Sequence, residues 1–501
     1  MSQTNFDSNF CGSLPIHLIN LVQPYGVLVV LDKETGHIIQ VSENASRVFS
    51  TPAERLVNSR IDDHVGDNVI TALKDRLSIP VIDKIPTVWT IDGRSHLTVL
   101  HFKEQYILAE IDANNFEESE HDSFIRGYQK IRYAMANIEA AQSVKEVCEI
   151  AARELKYISG FDKVMIYRFD EEWNGTVLAE ELEEGMESYL GFTFPASDIP
   201  QQARLMYLKN AYRFIPTREY EPVKLHPVIN PITNSFLDLS DCNLRSVPAV
   251  HLEYLKNMQI TASMSVRILN EDKLWGLIAC HHREARPMDH PMCSMLEMLS
   301  GVLSARILSL QNREMHAFDS HLKEHYTHIV ETIYKRETLA ECLTATDPDI
   351  LALFNASGVV VTHKGRTHKR GEVPEPDAIE DLLLWLHTQR IKNVFHTDSL
   401  HILYDQAIAY AEQGSGLMVI PINGQQDEYV LIFRPEVIRV INWGGNPGER
   451  IQFEADGKNY HPRHSFKQWQ QEVSNTSLPW KPEELQMAEQ LRSFIYEYTT
   501  R

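Results

Sequence analysis

Cysteine is scarce in this 501-residue chain. The six residues, Cys11, Cys148, Cys242, Cys280, Cys293 and Cys342, form no Cys-x-x-Cys pair and no regular framework. That excludes a zinc ribbon or disulfide scaffold and fits a reducing, cytoplasmic setting. No apolar run approaches the roughly 18 residues of a membrane span, and the N-terminus lacks a basic and then apolar signal segment, so neither membrane nor export is expected. Basic residues are outnumbered, 48 Lys and Arg against 69 Asp and Glu, for a net charge of −21. Such a chain repels a phosphate backbone, which argues against nucleic acid as a partner. No P-loop, no His-Glu-x-x-His and no metal-ligand spacing stands out, so neither a metal nor catalysis is expected.

What is present is enough length for roughly three domains at about 150 residues each. Residues 1–17 read as an extended polar tail. From 18 to 112, strand-like runs dominate: Gly26–Leu31, Thr87–Thr90, His96–Phe102 and Gln105–Ile111, with one helical segment at Leu73–Leu77. An acidic linker, Asp112–Asp122, follows. Phe124–Lys156 reads as one helix, with Ile131, Ala134, Ile138, Ala141, Val147 and Ile150 near one face. Strands at Lys163–Arg168, Ser263–Ile268 and Leu274–Ala279 flank an irregular, proline-rich stretch at 195–250, and long irregular stretches in compact domains are usually functional. Met292–Lys335 contains no proline and only Gly301, so it reads as a connecting helix of about 66 Å, or as two helices broken at the glycine. A further domain, 336–480, carries strands Gly358–Thr362, Gly416–Ile422 and Glu428–Arg434. A final helix runs over 482–501, with Pro482 in its first turn. The expected fold class is α+β: three consecutive sensor-like domains with antiparallel sheets, joined by long helices.

Three clusters carry chemistry. The first is Phe194-Pro-Ala-Ser-Asp-Ile-Pro200, followed by Tyr207 and Arg213. The second is Leu244-Arg245 with His251, Tyr254, Ser263 and Ser265. The third is Cys280-His281-His282 at the end of an apolar strand. One carboxylate, two arginines, hydroxyls, imidazoles and aromatics suit a large planar ligand bearing carboxylates and ring N–H groups. Arginine forks match carboxylates bidentately, and aromatics pack ring faces. His281 and His282 are adjacent on a strand and face opposite sides, which suits no single metal.

These residues sit in longer motifs that resemble the photosensory core of bacteriophytochromes. Cys11-Gly-Ser-Leu-Pro-Ile-His17 and Val22-Gln-Pro-Tyr-Gly26 are similar to that family's attachment segment and PAS entry. Met165-Ile-Tyr-Arg-Phe-Asp170, Pro195-Ala-Ser-Asp-Ile-Pro200 and Leu274-Trp-Gly-Leu-Ile-Ala-Cys-His-His282 resemble its GAF domain. Phe433-Arg-Pro-Glu436, Trp443-Gly-Gly445 and Pro462-Arg-His-Ser-Phe466 resemble the tongue hairpin of its PHY domain. The resemblance implies PAS at 18–112, bilin-binding GAF at 124–310, a connecting helix at 292–335, and PHY at 336–480 with a tongue at about 433–470.

The implied cofactor is a linear tetrapyrrole in GAF, specifically biliverdin IXα held by a thioether to Cys11. Relatives that carry a more reduced bilin anchor it through a GAF cysteine just before the site histidine; here that position is Val250, and Cys242 reads as structural. By position, Asp198 and Ile199 would lie at the ring nitrogens and His251 would hold a central water. His281 would bond the ring D carbonyl, and Arg213 and Arg245 would clamp one propionate beside Tyr207. Ser263 and Ser265 would meet the other propionate, and Tyr167, Phe194 and Tyr254 would wall ring D. Arg463 would pair with Asp198 as the tongue docks, with Ser465 and Trp443 also in the relay.

Two departures from the family pattern stand out. Pro248-Ala249-Val250-His251 replaces the usual Ser-Pro-x-His, and Asn257-Met258-Gln259-Ile260 replaces Asn-Met-Gly-Val. The implied function is red/far-red photoreception: isomerisation at C15=C16 breaks the Asp198–Arg463 contact and refolds the tongue from hairpin toward helix. The implied partners are a second copy in a parallel, helix-mediated homodimer and a C-terminal effector beyond residue 501, a histidine kinase or diguanylate cyclase. Two competing readings are a GAF receptor for another small ligand, such as a cyclic nucleotide, and an enzyme using Cys11 and His17.

Overall fold

A computed structural model of the chain describes residues 16–65, 84–114, 121–335, 338–347, 349–423, 426–447, 452–453, 460–461 and 465–500. Cys11, Arg463 and the Leu73–Leu77 segment lie outside the described residues. The chain divides into two compact units: Met1–Leu310 together with Asn442–Trp469, and Gln311–Ile441 together with Gln470–Arg501.

The first unit contains two sheets. One has seven strands, in the order Leu21–Val22, Val223–His226, Ile38–Ser42, Gly26–Asp32, Tyr106–Asp112, Arg94–Phe102 and Lys84–Ile91. Its central strand, Gly26–Asp32, is a continuous apolar run because both of its faces are buried. Val27, Val29 and Leu31 pack on Ile38, Phe49, Leu56 and Trp89. Leu28 and Val30 face the other way, onto Leu225, Leu237, Leu239 and Leu244 from the irregular stretch. That stretch therefore covers a sheet face and also supplies a strand to it, since Val223–His226 pairs with both Leu21–Val22 and Ile38–Ser42.

Glu110 holds the two parts together. It is buried, its Oε1 lies 2.6 Å from His101 Nε2, and its carboxylate accepts the backbone N–H groups of Asn243 (3.0 Å) and Leu244 (2.6 Å). Burial alone would raise its pKa, but the His101 contact and the two N–H donors outweigh it and hold the carboxyl below its usual range.

The second sheet runs Tyr212–Ile215, Ala262–Asn270, Lys273–His282, Lys163–Phe169, Gly175–Leu182 and Thr193–Phe194, and Trp443 pairs in parallel with Thr193 at its end. Strand alternation sorts the side chains. Val164, Ile166, Met264, Val266, Ile278 and Cys280 pack against helices. Met165, Tyr167, Leu277 and Ala279 point to the opposite face. The single helix expected over 124–156 is in fact two, His121–Ala140 and Val144–Ser159. The break comes at Ser143, whose hydroxyl accepts from Glu146 N–H and so caps a new helix, a signal that outranks the continuous apolar period.

The long helix is unbroken over 46 residues, His290–Lys335, about 69 Å at 1.5 Å per residue. Gly301 does not interrupt it, because the flanking Leu299 and Leu303 are buried. One 18-residue window of it has a mean hydropathy of 1.3 and is long and apolar enough to cross a membrane, which inspection for continuous apolar runs overlooked. Leu296, Leu299, Leu303, Ile307 and Leu310 use that apolarity inside the first unit's helical core.

In the second unit the strand order is Arg366–Gly371, Gly358–His363, Glu428–Arg434, Gly416–Asn423 and Phe395–Thr397. The helix Pro376–Gln389 covers one face, and residues 322–333 with the helix Pro482–Thr500 cover the other. Phe433 and Arg434, read from sequence as the start of the tongue, end the buried central strand. Arg434 there pairs with buried Glu484 at 2.6 Å and lies over Trp480.

Glu110→Ala is expected to cost about 3–5 kcal/mol, because it strands His101 and two buried N–H groups. In the intact protein the Glu110 contribution is fully present above the unfolded carboxyl pKa, 4.5, and is lost as pH falls through the lower folded value. Urea unfolding at neutral pH and along an acid series checks both the cost and the direction.

Candidate functional site

The sheet face opposite the helices opens onto a cavity of about 1580 Å³, counting its mouth. Three elements close it over the strands. The 3₁₀ turn Ala196–Asp198 leads into helix Gln201–Lys209, and helix Ala249–Asn257 lies across from it. Of the residues singled out from sequence, Tyr167, Phe194, Asp198, Ile199, Tyr207, Arg213, His251, Tyr254, Ser263, Ser265 and His281 all line this cavity. Arg245 lines a neighbouring cavity that shares Ile16, Ala203, Tyr207 and Arg213 with the first.

The polar groups form two sets. In the first, an Arg213 N–H meets His251 Nε2 at 2.6 Å. Arginine only donates, so that nitrogen carries the lone pair and His251 is neutral. Burial, with Arg213 and His281 adding to it, pushes the His251 pKa well down. Arg245 is buried and donates to the Ile16 carbonyl at 3.2 Å. Burial and then Arg213 lower its pKa to about 10. The Nε atoms of both arginines have no partner, and among the described residues neither guanidinium has a carboxylate partner. Buried Arg245, with half-buried Arg213 beside it, is costly unless an anion meets the pair.

The second set is built on His281, which is buried with Nδ1 unpartnered. Burial, then Lys163, lowers its pKa to about 3, so it is a neutral donor–acceptor. Its neighbour His282 faces away and lies 3.1 Å from Asp162, as strand alternation requires. Tyr254 donates its hydroxyl to Asp198 Oδ2 at 2.9 Å and stacks on His251, with the rings 8° from parallel. Asp198 does not cap the following helix, whose N-cap is Pro200.

Gly444, Trp443 and Phe466, from the segment read from sequence as the tongue, reach this region within the same unit. Phe466 stands edge-on to Tyr254, with centroids 5.0 Å apart. Gly444 lies so close to Phe194 that a Cβ would come within 2.6 Å of the ring. Trp443 is buried against this edge, whereas Ser465 does not line the cavity.

Sequence reasoning missed Tyr189, Gln202, Met258 and Leu277 as lining residues, and Phe466 as a contact. Leu277 was recoverable, since it shares strand parity with His281. Tyr189 comes from a loop with no period to read. Cys242, read as structural, is buried among Val22, Leu28 and Leu244.

The arrangement is that of a sensory ligand-binding domain, and comparison with known proteins identifies which. Residues 11–114 match the PAS fold, 143–307 the GAF domain and 322–501 the phytochrome region. The chain is 36% identical over 495 residues to cyanobacterial phytochrome B of Nostoc sp., covering 98% of this chain and 66% of that one. It is 31% identical to a bacteriophytochrome of Xanthomonas campestris, covering 98% and 78%. The phytochrome photosensory core module of Stigmatella aurantiaca superposes with a TM-score of 0.82 at 32% identity, covering 100% of this chain and 99% of that one. The chain belongs to the phytochrome family of red/far-red photoreceptors and comprises its PAS–GAF–PHY photosensory module. It spans about two thirds of the length of the Nostoc relative.

Both departures from the family motifs have structural consequences. Pro248 is the N-cap of helix Ala249–Asn257 and offers no side-chain acceptor there. Gln259 follows that helix with φ +59°, a left-handed position that glycine occupies without strain. Gln259→Gly is expected to stabilise the first unit by about 1 kcal/mol, read as a rise in urea midpoint at unchanged slope.

Proposed function

We propose that this chain binds biliverdin in the GAF cavity, attaches it through Cys11 and reports red and far-red light. The observation that carries the reading is the cavity lining. The guanidinium groups of half-buried Arg213 and, in the adjoining cavity, buried Arg245 have no carboxylate partner among the described residues, and His281 offers an unpartnered neutral imidazole nitrogen, with aromatic and aliphatic walls around it. Those donors fit a planar dicarboxylate with a terminal carbonyl, which is the chemistry of a linear tetrapyrrole. When bound, the bilin supplies visible absorption and an isomerisable double bond.

The chain's own residues do the rest. Arg213 and Arg245 take one propionate beside Tyr207, and Ser263 and Ser265 take the other. His281, held neutral by burial, hydrogen-bonds the ring D carbonyl, while Tyr167, Phe194 and Tyr254 confine that ring. Asp198 and Ile199 border the ring nitrogens, and His251 orders water beneath them. Tyr254 already loads one oxygen of Asp198, and we assign the contact to the tongue to Arg463, with Trp443 and Ser465 flanking it. Val250 before His251 removes the alternative anchor and favours biliverdin over more reduced bilins. The domain limits proposed are 18–112, 124–310 and 336–480. The module is taken to act in the cytoplasm as a parallel dimer along its long helices, driving a kinase or cyclase effector.

The test is a light-minus-dark spectrum of the purified chain mixed with biliverdin or with phycocyanobilin, beside Cys11→Ala. A reversible red/far-red difference is expected with biliverdin, with a band that survives denaturation only when Cys11 is intact. No uptake of either bilin would overturn the proposal and leave a GAF receptor for another ligand. Attachment that survives Cys11→Ala would move the anchor elsewhere.

A further inference from the structure

The helix His290–Lys335 carries a concentration of imidazoles, His316, His321, His325 and His328, which the bilin site does not use. His321 and His325 are four residues apart, so the helical repeat stacks them one turn above the other. Their rings meet edge to face with centroids 4.3 Å apart. His321 is exposed and His325 half-buried. The buried stripe of this segment, Leu322, Ile329 and Ile333, packs into the core of the second unit, with His325 at its edge and His321 beyond it. Neither imidazole belongs to that core cluster.

Two imidazoles one turn apart are also the ligand spacing by which a helix grips zinc in the His-x-x-x-His pattern. Bond lengths of about 2.0–2.1 Å to each nitrogen bring two neighbouring donors to one ion through rotamer adjustment alone. The surroundings favour a cation. Glu314 lies two turns earlier on the same face, Glu324 flanks His325, and the chain as a whole carries −21. His328, on the same face one turn further on, has its Nδ1 3.4 Å from Asp347. Among the described residues no group of three or more ligands is assembled, so the pair by itself defines the site. The sequence reading placed this segment on a helix but did not weigh its His-x-x-x-His spacing.

We propose that His321 and His325 form a bidentate site for a divalent first-row transition-metal ion, with water completing its coordination. Imidazole suits Zn²⁺, Ni²⁺ and Cu²⁺ alike. The ion bridges residues i and i+4 and so holds that turn in the helical state. This inference is independent of the bilin reading.

The test uses the full chain without bilin and Zn²⁺ as the probe. Calorimetric titration of the parent is compared with His321→Ala, His325→Ala, the double variant, and His316→Ala as a control on a different face. One Zn²⁺ per chain is expected to disappear in the double variant and to persist in His316→Ala. Each single variant is expected to bind it about tenfold or more weakly, because the second donor acts at high effective concentration. Hydrogen exchange gives a second readout: Zn²⁺ should slow amide exchange at about residues 318–329 in the parent and not in the double variant. Uptake by the double variant with the parent's stoichiometry and affinity would overturn the proposal, as would Zn²⁺ protection confined to other segments. His321 is exposed and His325 lies at the edge of the buried stripe, so matched far-ultraviolet circular dichroism and urea midpoints are required to confirm that the variants remain folded.

Discussion

Strand parity in the sheet of the first unit is the constraint on which the rest of the site depends. A strand cannot bury the same residue on two faces. Val164, Ile166, Ile278 and Cys280 are committed to the helical core, and so Met165, Tyr167, Leu277, Ala279 and His281 must line the cavity. A one-residue slip in Lys273–His282 would drive His281 into the helices and bring His282 to the ligand face. The register is held by the paired run from Ala262↔His282 to Asn270↔Lys273, and by Gly276↔Arg168 through His281↔Lys163 on the other side. Gly276 tolerates the close approach of Tyr167's backbone only because it lacks a Cβ.

The cavity is shaped to demand something of its ligand. Guanidinium groups are normally buried with carboxylates, as Arg434 is with Glu484 in the second unit. Arg245 is instead buried beside half-buried Arg213, and Arg213 spends one N–H on a neutral histidine. That arrangement destabilises the protein alone and favours an anion in contact with it. A stability cost placed at a binding site is one way a fold acquires affinity. Residues 442–469 add a second dependence, since Phe466 and Gly444 pack on Tyr254, which hydrogen-bonds Asp198, and on Phe194.

Much of this was legible in the residues. The apolar runs at Gly26–Asp32, Glu428–Arg434 and Gly416–Asn423 are strands because β-branched and aromatic residues run continuously between turn residues. Eleven of the candidate ligand residues lie on one cavity because their motifs fall on one face of the sheet and on the turn and two helices that cover it. The misreadings have local causes. A serine cap divided a helix whose apolar period ran straight through it. Arg434 belongs to a strand and an internal ion pair rather than to the tongue, and no spacing announces a partner fifty positions away.

By itself, then, the sequence determined the family, the order of domains, the strand faces and the kinds of side chain offered to a ligand. Period, turn chemistry and motif spacing are local properties, and they are written along the chain. Tertiary structure alone decided which groups would be left unpaired: that Arg213 meets His251, that His281 keeps a nitrogen free, and that Glu110 grips the backbone of a segment more than a hundred residues away. Satisfaction of a buried polar group depends on everything that surrounds it in space, and a linear pattern holds no record of that.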